Sequence, residues 1–144
     1  MNREDLDRAY RQALYVAHLP AGELVLRIDQ PDSLADQRLR DEAGCRDSWA
    51  LVTAFNPFSQ PIPEPENRRS QRRLEAELNA SGLRWIAAVH RDPAGRWPDE
   101  ISCLVIDPPE MLAPELGRRY GQNAIVSCWL GEAPRLQWLA PELS

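Results

Sequence analysis

The apolar residues of this chain come in short runs, each cut off by proline, glycine or asparagine, and that punctuation constrains the fold more than any other feature. Trp49 to Phe55, Leu83 to Arg91, Ile101 to Asp107 and Ala124 to Leu130 are brief and rich in β-branched and aromatic residues, the composition of buried strands. Asn56-Pro57 closes the first run, because a residue before proline avoids the helical region and proline cannot continue a strand ladder. No run approaches the ~20 apolar residues that a membrane-spanning helix requires.

Helical segments lie between these runs. Leu14 to His18 and Glu23 to Asp29 read as two strands joined by the turn Leu19-Pro20-Ala21-Gly22. Gln30-Pro31-Asp32 opens a helix to Ala43, stopped by Gly44. After Pro57, Pro61, Pro63 and Pro65 a second helix runs from about Glu66 to Ala80, ending before Gly82. Pro108-Pro109 opens a third that ends at Tyr120, with Pro114 either kinking it or delaying its start. Residues 2–12 are compatible with a further short helix capped by Asn2, and Arg135 to Leu139 with an edge strand. The expected order is β-β-α-β-α-β-β-α-β: an α+β (mixed α/β) fold with one sheet covered by about three helices. With 144 residues, 43% of them apolar, the chain is expected to form a single globular domain over 1–144.

Charge narrows the function classes. The net charge is −5, and all 17 basic residues are arginine. An acidic chain lacks the basic surface of a nucleic-acid binder, so nucleic acid is not an expected partner. The absence of lysine fits a GC-rich coding bias and excludes Schiff-base chemistry and a Walker-type phosphate loop. Cys45, Cys103 and Cys128 are widely spaced and form no C-x-x-C pair, and two of them sit inside apolar runs; buried inert thiols are expected. With only His18 and His90 available, no multi-histidine metal site is expected, nor any cofactor. The charged start Met1-Asn2-Arg3-Glu4-Asp5 suggests no secretory signal, hence a cytoplasmic chain.

Four constellations could carry chemistry. Thr53, Asn56 and Ser59 gather where a buried strand ends in a proline-stiffened loop, a common setting for ligand contacts, although turn hydrogen bonds explain the same residues more simply. Asn67 shares a helical stripe with Leu74 and Leu78, so its amide points inward and must find a partner or a cavity: it could meet the strand end carrying Thr53 and Asn56, or cap the helix. In that setting Asn67→Leu should preserve folding and abolish ligand binding. The adjacent Arg68, Arg69, Arg72 and Arg73 read as a solvated face balanced by glutamates. If Arg91 and Asp99 flank the next loop, Val89 pairs with Ile101, His90 with Glu100 and Ala88 with Ser102, which sets His90, Glu100 and Ser102 on one face. A Ser–His–Glu triad is disfavoured because Ser102 lies mid-strand with no nucleophile elbow. A surface ion pair of His90 with Glu100, or Glu100 as a lone base or acceptor, fits better. Lastly, Gln122 and Asn123 follow Gly121 at the mouth of an apolar strand, where amides can serve a ligand or the frayed helix end.

Thr53-Ala54-Phe55-Asn56-Pro57-x-Ser59, Glu66-Asn67, Trp97-Pro98-x-Glu100-x-Ser102 and Gly121-Gln122-Asn123-Ala124 occur in order over about Tyr10 to Leu130. Together they resemble a family of small bacterial proteins known only as a domain of unknown function. Phe55 stands where that family usually has tryptophan. The resemblance implies that Asn56, Ser59, Asn67, Glu100, Gln122 and Asn123 act as a set, and it implies no activity.

The leading expectation is a pocket formed by Thr53, Asn56, Ser59, Asn67, Glu100, Ser102, Gln122 and Asn123. It would bind, and could also process, a small polar ligand such as a nucleoside, nucleotide or sugar derivative, with Glu100 as the general base. The alternative is a non-catalytic protein-interaction module that uses Trp97, Trp138 and the arginine-rich helix. Whether the chain is an enzyme stays open at this point, as does its oligomeric state.

Overall fold

Side-chain caps set where the first two helices begin, and prolines mark the starts of the other two. The computed structural model describes residues 2–139. Asn2 accepts from the Asp5 N–H while Asp5 accepts from the Asn2 N–H, a reciprocal cap that starts α1 (Arg3–Gln12). Asp32 accepts from the Leu34 and Ala35 amides and starts α2 (Ser33–Ala43), which ends at Gly44 in the left-handed region. Prolines flank the start of α3 (Glu64–Ala80). Pro114 occupies the first turn of α4 (Leu112–Arg119), where its missing N–H costs nothing, so it delays the helix and does not kink it.

The strands are β1 (Leu14–Leu19), β2 (Gly22–Leu26), β3 (Ser48–Val52), β4 (Trp85–Arg91), β5 (Glu100–Ile106), β6 (Ala124–Trp129) and β7 (Arg135–Trp138). They form one seven-stranded sheet in the order β2-β1-β4-β5-β3-β6-β7. Every neighbouring pair is antiparallel, and the sheet curls into a half-barrel. The hairpin register is the expected one, with His90 opposite Glu100 and Ala88 opposite Ser102.

Strand alternation divides the core in two. Tyr15, Ala17, Trp49, Leu51, Leu104, Ile106, Val126 and Cys128 pack with Ala35, Leu39 and Ala43 of α2, and Tyr10 and Ala13 at the end of α1 extend that layer. On the other face Ala50, Val52, Cys103, Val105 and Ile125 pack against Leu74 and Leu78 of α3 and Ala113 and Leu116 of α4. Leu39 and Leu74 lose all solvent exposure, each gaining about 2 kcal/mol from burial of its side chain. The mixed α+β class holds, with α1 and β7 extending the expected order at its two ends.

One boundary difference bears on the site. β3 stops at Val52 and does not reach Phe55. The Thr53 hydroxyl donates to the Ile101 carbonyl at 2.6 Å and accepts from the Phe55 N–H, which takes the chain off the ladder. All three cysteines are buried free thiols whose pKa is pushed up to about 12 by burial.

Candidate functional site

A cavity of about 290 Å³ lies between α1, the β1–β4–β5 part of the half-barrel and the loops that leave β3 and enter β6. Its floor follows from register: Tyr15 is opposite His90, and His90 is opposite Glu100, so alternation places the three in one row facing α1. Leu6, Ala9 and Tyr10 of α1, with Ala13 just past its end, form the roof. Thr53, Phe55, Asn56, Ser59 and Gln122 form one wall, and Arg91 and Trp97 lie at the rim of the hairpin.

The wall is a strained loop held from behind. Asn56, Phe58 and Ser59 have φ of 46°, 57° and 58°, a region non-glycine residues occupy only at a cost. Asn67 opposes that cost: its Oδ1 accepts from the Asn56 N–H at 2.8 Å, and its Nδ2 donates to Asn56 Oδ1 at 2.7 Å. The Ile62 N–H also donates to Asn56 Oδ1. Gln122 Nε2 donates to the Phe55 carbonyl at 3.0 Å, and the Phe58 N–H donates to the Gly121 carbonyl at 2.7 Å. Buried Gln71 accepts from the Ala54 N–H. Ser59 Oγ then links wall to roof, taking a hydrogen bond from Asn123 Nδ2 at 3.0 Å and lying 2.8 Å from Tyr10 Oη.

Gly121 is where the two loops touch. Its φ is +70°, and a Cβ there would stand 2.9 Å from Pro57 Cβ. Gly121→Ala is expected to cost about 1–2 kcal/mol, since it adds a clash to a left-handed backbone. Urea unfolding checks it; an unchanged midpoint would show that the loops accommodate the methyl group.

Electrostatically the cavity is simple. Burial pushes the Glu100 carboxyl up to about 7. Burial pushes His90 down to about 4, and its Nε2 is buried without a hydrogen-bond partner. Tyr15 is raised by burial well beyond the physiological range and donates to the Tyr10 carbonyl. Tyr10 is raised by its own burial, with the hydrogen bonds from Ser59 and Asn123 opposing. Arg91 turns away onto Asp99, 3.0 Å distant. Among the described residues, then, the lining holds one carboxyl titrating near neutrality, a neutral imidazole, and no unpaired cation.

Of the residues expected in a pocket, Thr53, Asn56, Ser59, Glu100 and Gln122 line this cavity. Asn123 stands one step behind, bonded to Ser59. Asn67 and Ser102 lie outside it: Asn67 braces Asn56, and Ser102 donates to the Val52 carbonyl at 3.1 Å while only 1% exposed. That bond occupies the hydroxyl proton a Ser–His–Glu triad would need. The surface ion pair between His90 and Glu100 is also absent among the described residues, because both face the cavity interior. Trp138 is half-buried, with its Nε1 donating to Asp7 and the Arg3 guanidinium 4.3 Å from its ring, so it anchors α1 and is not a free interaction surface. Trp97 stays exposed beside Arg96. Arg68, Arg69, Arg72 and Arg73 form the expected solvated face, with Arg68 paired to Glu64.

The sequence reading missed the roof and floor, Leu6, Tyr10 and Tyr15. A signal existed: Leu6, Ala9, Tyr10 and Ala13 fall at the i, i+3, i+4, i+7 spacing of one helical stripe, and Tyr15, Ala17 and Leu19 alternate. Among the described residues no group of three His, Cys, Asp or Glu could hold a metal ion.

No curated protein and no solved structure matches the chain. A family described as a protein of unknown function, DUF3293, matches residues 52–125. That span is just over half of the chain and runs from the end of β3 into β6, carrying the wall loop, Asn67, Glu100 and Gln122. The chain belongs to this family of proteins of unknown function, DUF3293.

Proposed function

We propose that this protein binds a small polar molecule in the cavity beneath α1, with Glu100 as the principal acceptor for it. The observation that carries the reading is the Glu100 carboxyl itself: largely withdrawn from solvent, open to the cavity and without a protein donor among the described residues. A half-buried carboxyl with a perturbed pKa in a cleft marks a candidate functional site. The volume stands at the lower end of the ~300–1,000 Å³ typical of small-molecule sites. Neutral donors and acceptors on Asn56, Ser59 and Gln122 suit hydroxyl and amide groups, as in a nucleoside or a sugar derivative. Among the described residues a phosphate finds no free guanidinium there. A carboxyl poised near neutral pH is also what general acid–base work on such a ligand requires, and Glu100 is the residue to which we assign that role.

A thermal-shift screen of nucleosides, nucleotides, sugars and small amines on wild type and Glu100→Gln tests the reading. A ligand at 100 times its Kd adds about 2.7 kcal/mol to stability, enough to raise Tm by several degrees in wild type, and Glu100→Gln should show little of that shift. Equal stabilisation of both proteins would remove Glu100 from the site. No stabilisation across the panel would favour the interaction-module reading.

A further inference from the structure

We infer that the cavity selects a small organic cation, a protonated amine whose nitrogen sits at Glu100 and whose apolar body lies among Tyr10, Tyr15, Phe55 and Trp97. The inference rests on the ligand-cavity reading and narrows it.

Charge is the first argument. The ionisable side chains lining the cavity from every element are Tyr10 on α1, Tyr15 on β1, His90 and Arg91 on β4 and Glu100 on β5. Both tyrosines are held in the phenol form, and His90 is neutral above about pH 4. Arg91 is committed to Asp99 through both Nε and a terminal nitrogen. Among the described residues, only negative charge can therefore develop inside above about pH 4. A desolvated carboxylate is costly without a counter-charge, and the described residues supply none there, so a cationic ligand removes the cost.

Shape is the second. Four aromatic side chains line the same cavity as the carboxylate, and aromatic faces attract ammonium groups within about 6 Å. At ~30 Å³ per water-sized group, the cavity volume of about 290 Å³ holds a body of roughly ten non-hydrogen atoms. Larger ligands would protrude past Arg91 and Trp97.

A proton linkage follows. A cation needs ionised Glu100, whose carboxyl titrates at about 7, while the other lining groups keep their charge between pH 6 and 8. Amine affinity is thus expected to be about tenfold higher at pH 8 than at pH 6, the ratio of the ionised fractions.

Three probes of one shape test this: benzylamine, benzyl alcohol and benzoate, titrated into the full chain by calorimetry and by amide-resonance shifts at pH 6 and 8. The expected result is binding of benzylamine at least about tenfold tighter than of benzyl alcohol, no binding of benzoate, tightening with pH, and loss of the preference in Glu100→Gln. Binding of the alcohol or of benzoate as tight as the amine, or amine binding that does not tighten with pH, overturns the cation inference and leaves the ligand cavity standing. Absence of any resonance shift from all three at tens of millimolar, with no stabilisation by the nucleoside and sugar panel, overturns both.

Discussion

Glu100→Gln should be more stable than wild type at pH 8, by about 3 kcal/mol, with the difference vanishing near pH 4.5. The carboxyl titrates at about 7 in the folded chain against an ordinary value of 4.5. Between those limits the native state holds the extra proton, so this group's contribution to stability falls as pH rises and is fully lost above the folded value. Each pKa unit is worth 1.36 kcal/mol, which gives the estimate of about 3 kcal/mol. His90 runs the other way. Its folded value is about 4 against an ordinary 6.5, so the unfolded state binds more protons and stability rises with pH across that window. In wild type the two slopes oppose each other between pH 4.5 and 6.5 and leave a nearly flat profile. Removing the carboxylate exposes the rising His90 limb alone. Urea unfolding of both proteins at pH 4.5, 6 and 8 measures this. A difference that is the same at every pH would mean that Glu100 is hydrated and carries no burial cost. A residue that destabilises its own fold at working pH is what a functional group held ready for a ligand looks like.

Asn67→Leu is expected to cost about 2–4 kcal/mol, against the sequence expectation that leucine would be tolerated. Asn67 is 4% exposed and satisfies the Asn56 backbone N–H and side-chain carbonyl together. Leucine leaves that N–H without an acceptor, a loss of about 1–3 kcal/mol. It also releases a wall whose Asn56, Phe58 and Ser59 sit in the left-handed region, where ~1–3 kcal/mol of strain per residue persists only under support from the surroundings. Asn56→Gly separates the two contributions, because glycine accepts a φ of 46° freely but deletes the Oδ1 acceptor. In a double-mutant cycle the two positions should couple by about 1 kcal/mol or more, as contacting residues do. An unchanged urea midpoint for Asn67→Leu would show that the loop holds its shape without the amide pair.

Asn67 also marks how far the sequence can be read. Its place on the Leu74–Leu78 stripe shows which way the side chain points, because helical period is a local property. Of the two partners open to it, the strand end carrying Thr53 and Asn56 or the backbone of its own helix start, the structure selects the first: Asn56, 11 residues back in the loop that follows β3. The pairing of His90 with Glu100 was legible because it left no such choice. A short loop flanked by Arg91 and Asp99 leaves an antiparallel hairpin one register that keeps Ala88 buried opposite Ser102. Reading that pair as a surface ion pair failed because the hairpin does not reveal that α1 covers its end.

The sequence alone determined the elements and their faces: strands from short β-branched runs, helix limits from caps and prolines, and inward positions from periods of two and 3.6 residues. All of these arise from contacts between near neighbours in the chain. Only the tertiary structure decided that a cavity exists and what it is made of. The sheet order β1-β4-β5-β3 seats the β4–β5 hairpin between β1, from the start of the chain, and β3, and that insertion brings Tyr15, His90 and Glu100 into one row beneath α1. Burial, and with it the displaced titrations of Glu100 and His90, is a property of that assembled surface, because desolvation depends on everything that excludes water and not on the residue's neighbours in sequence.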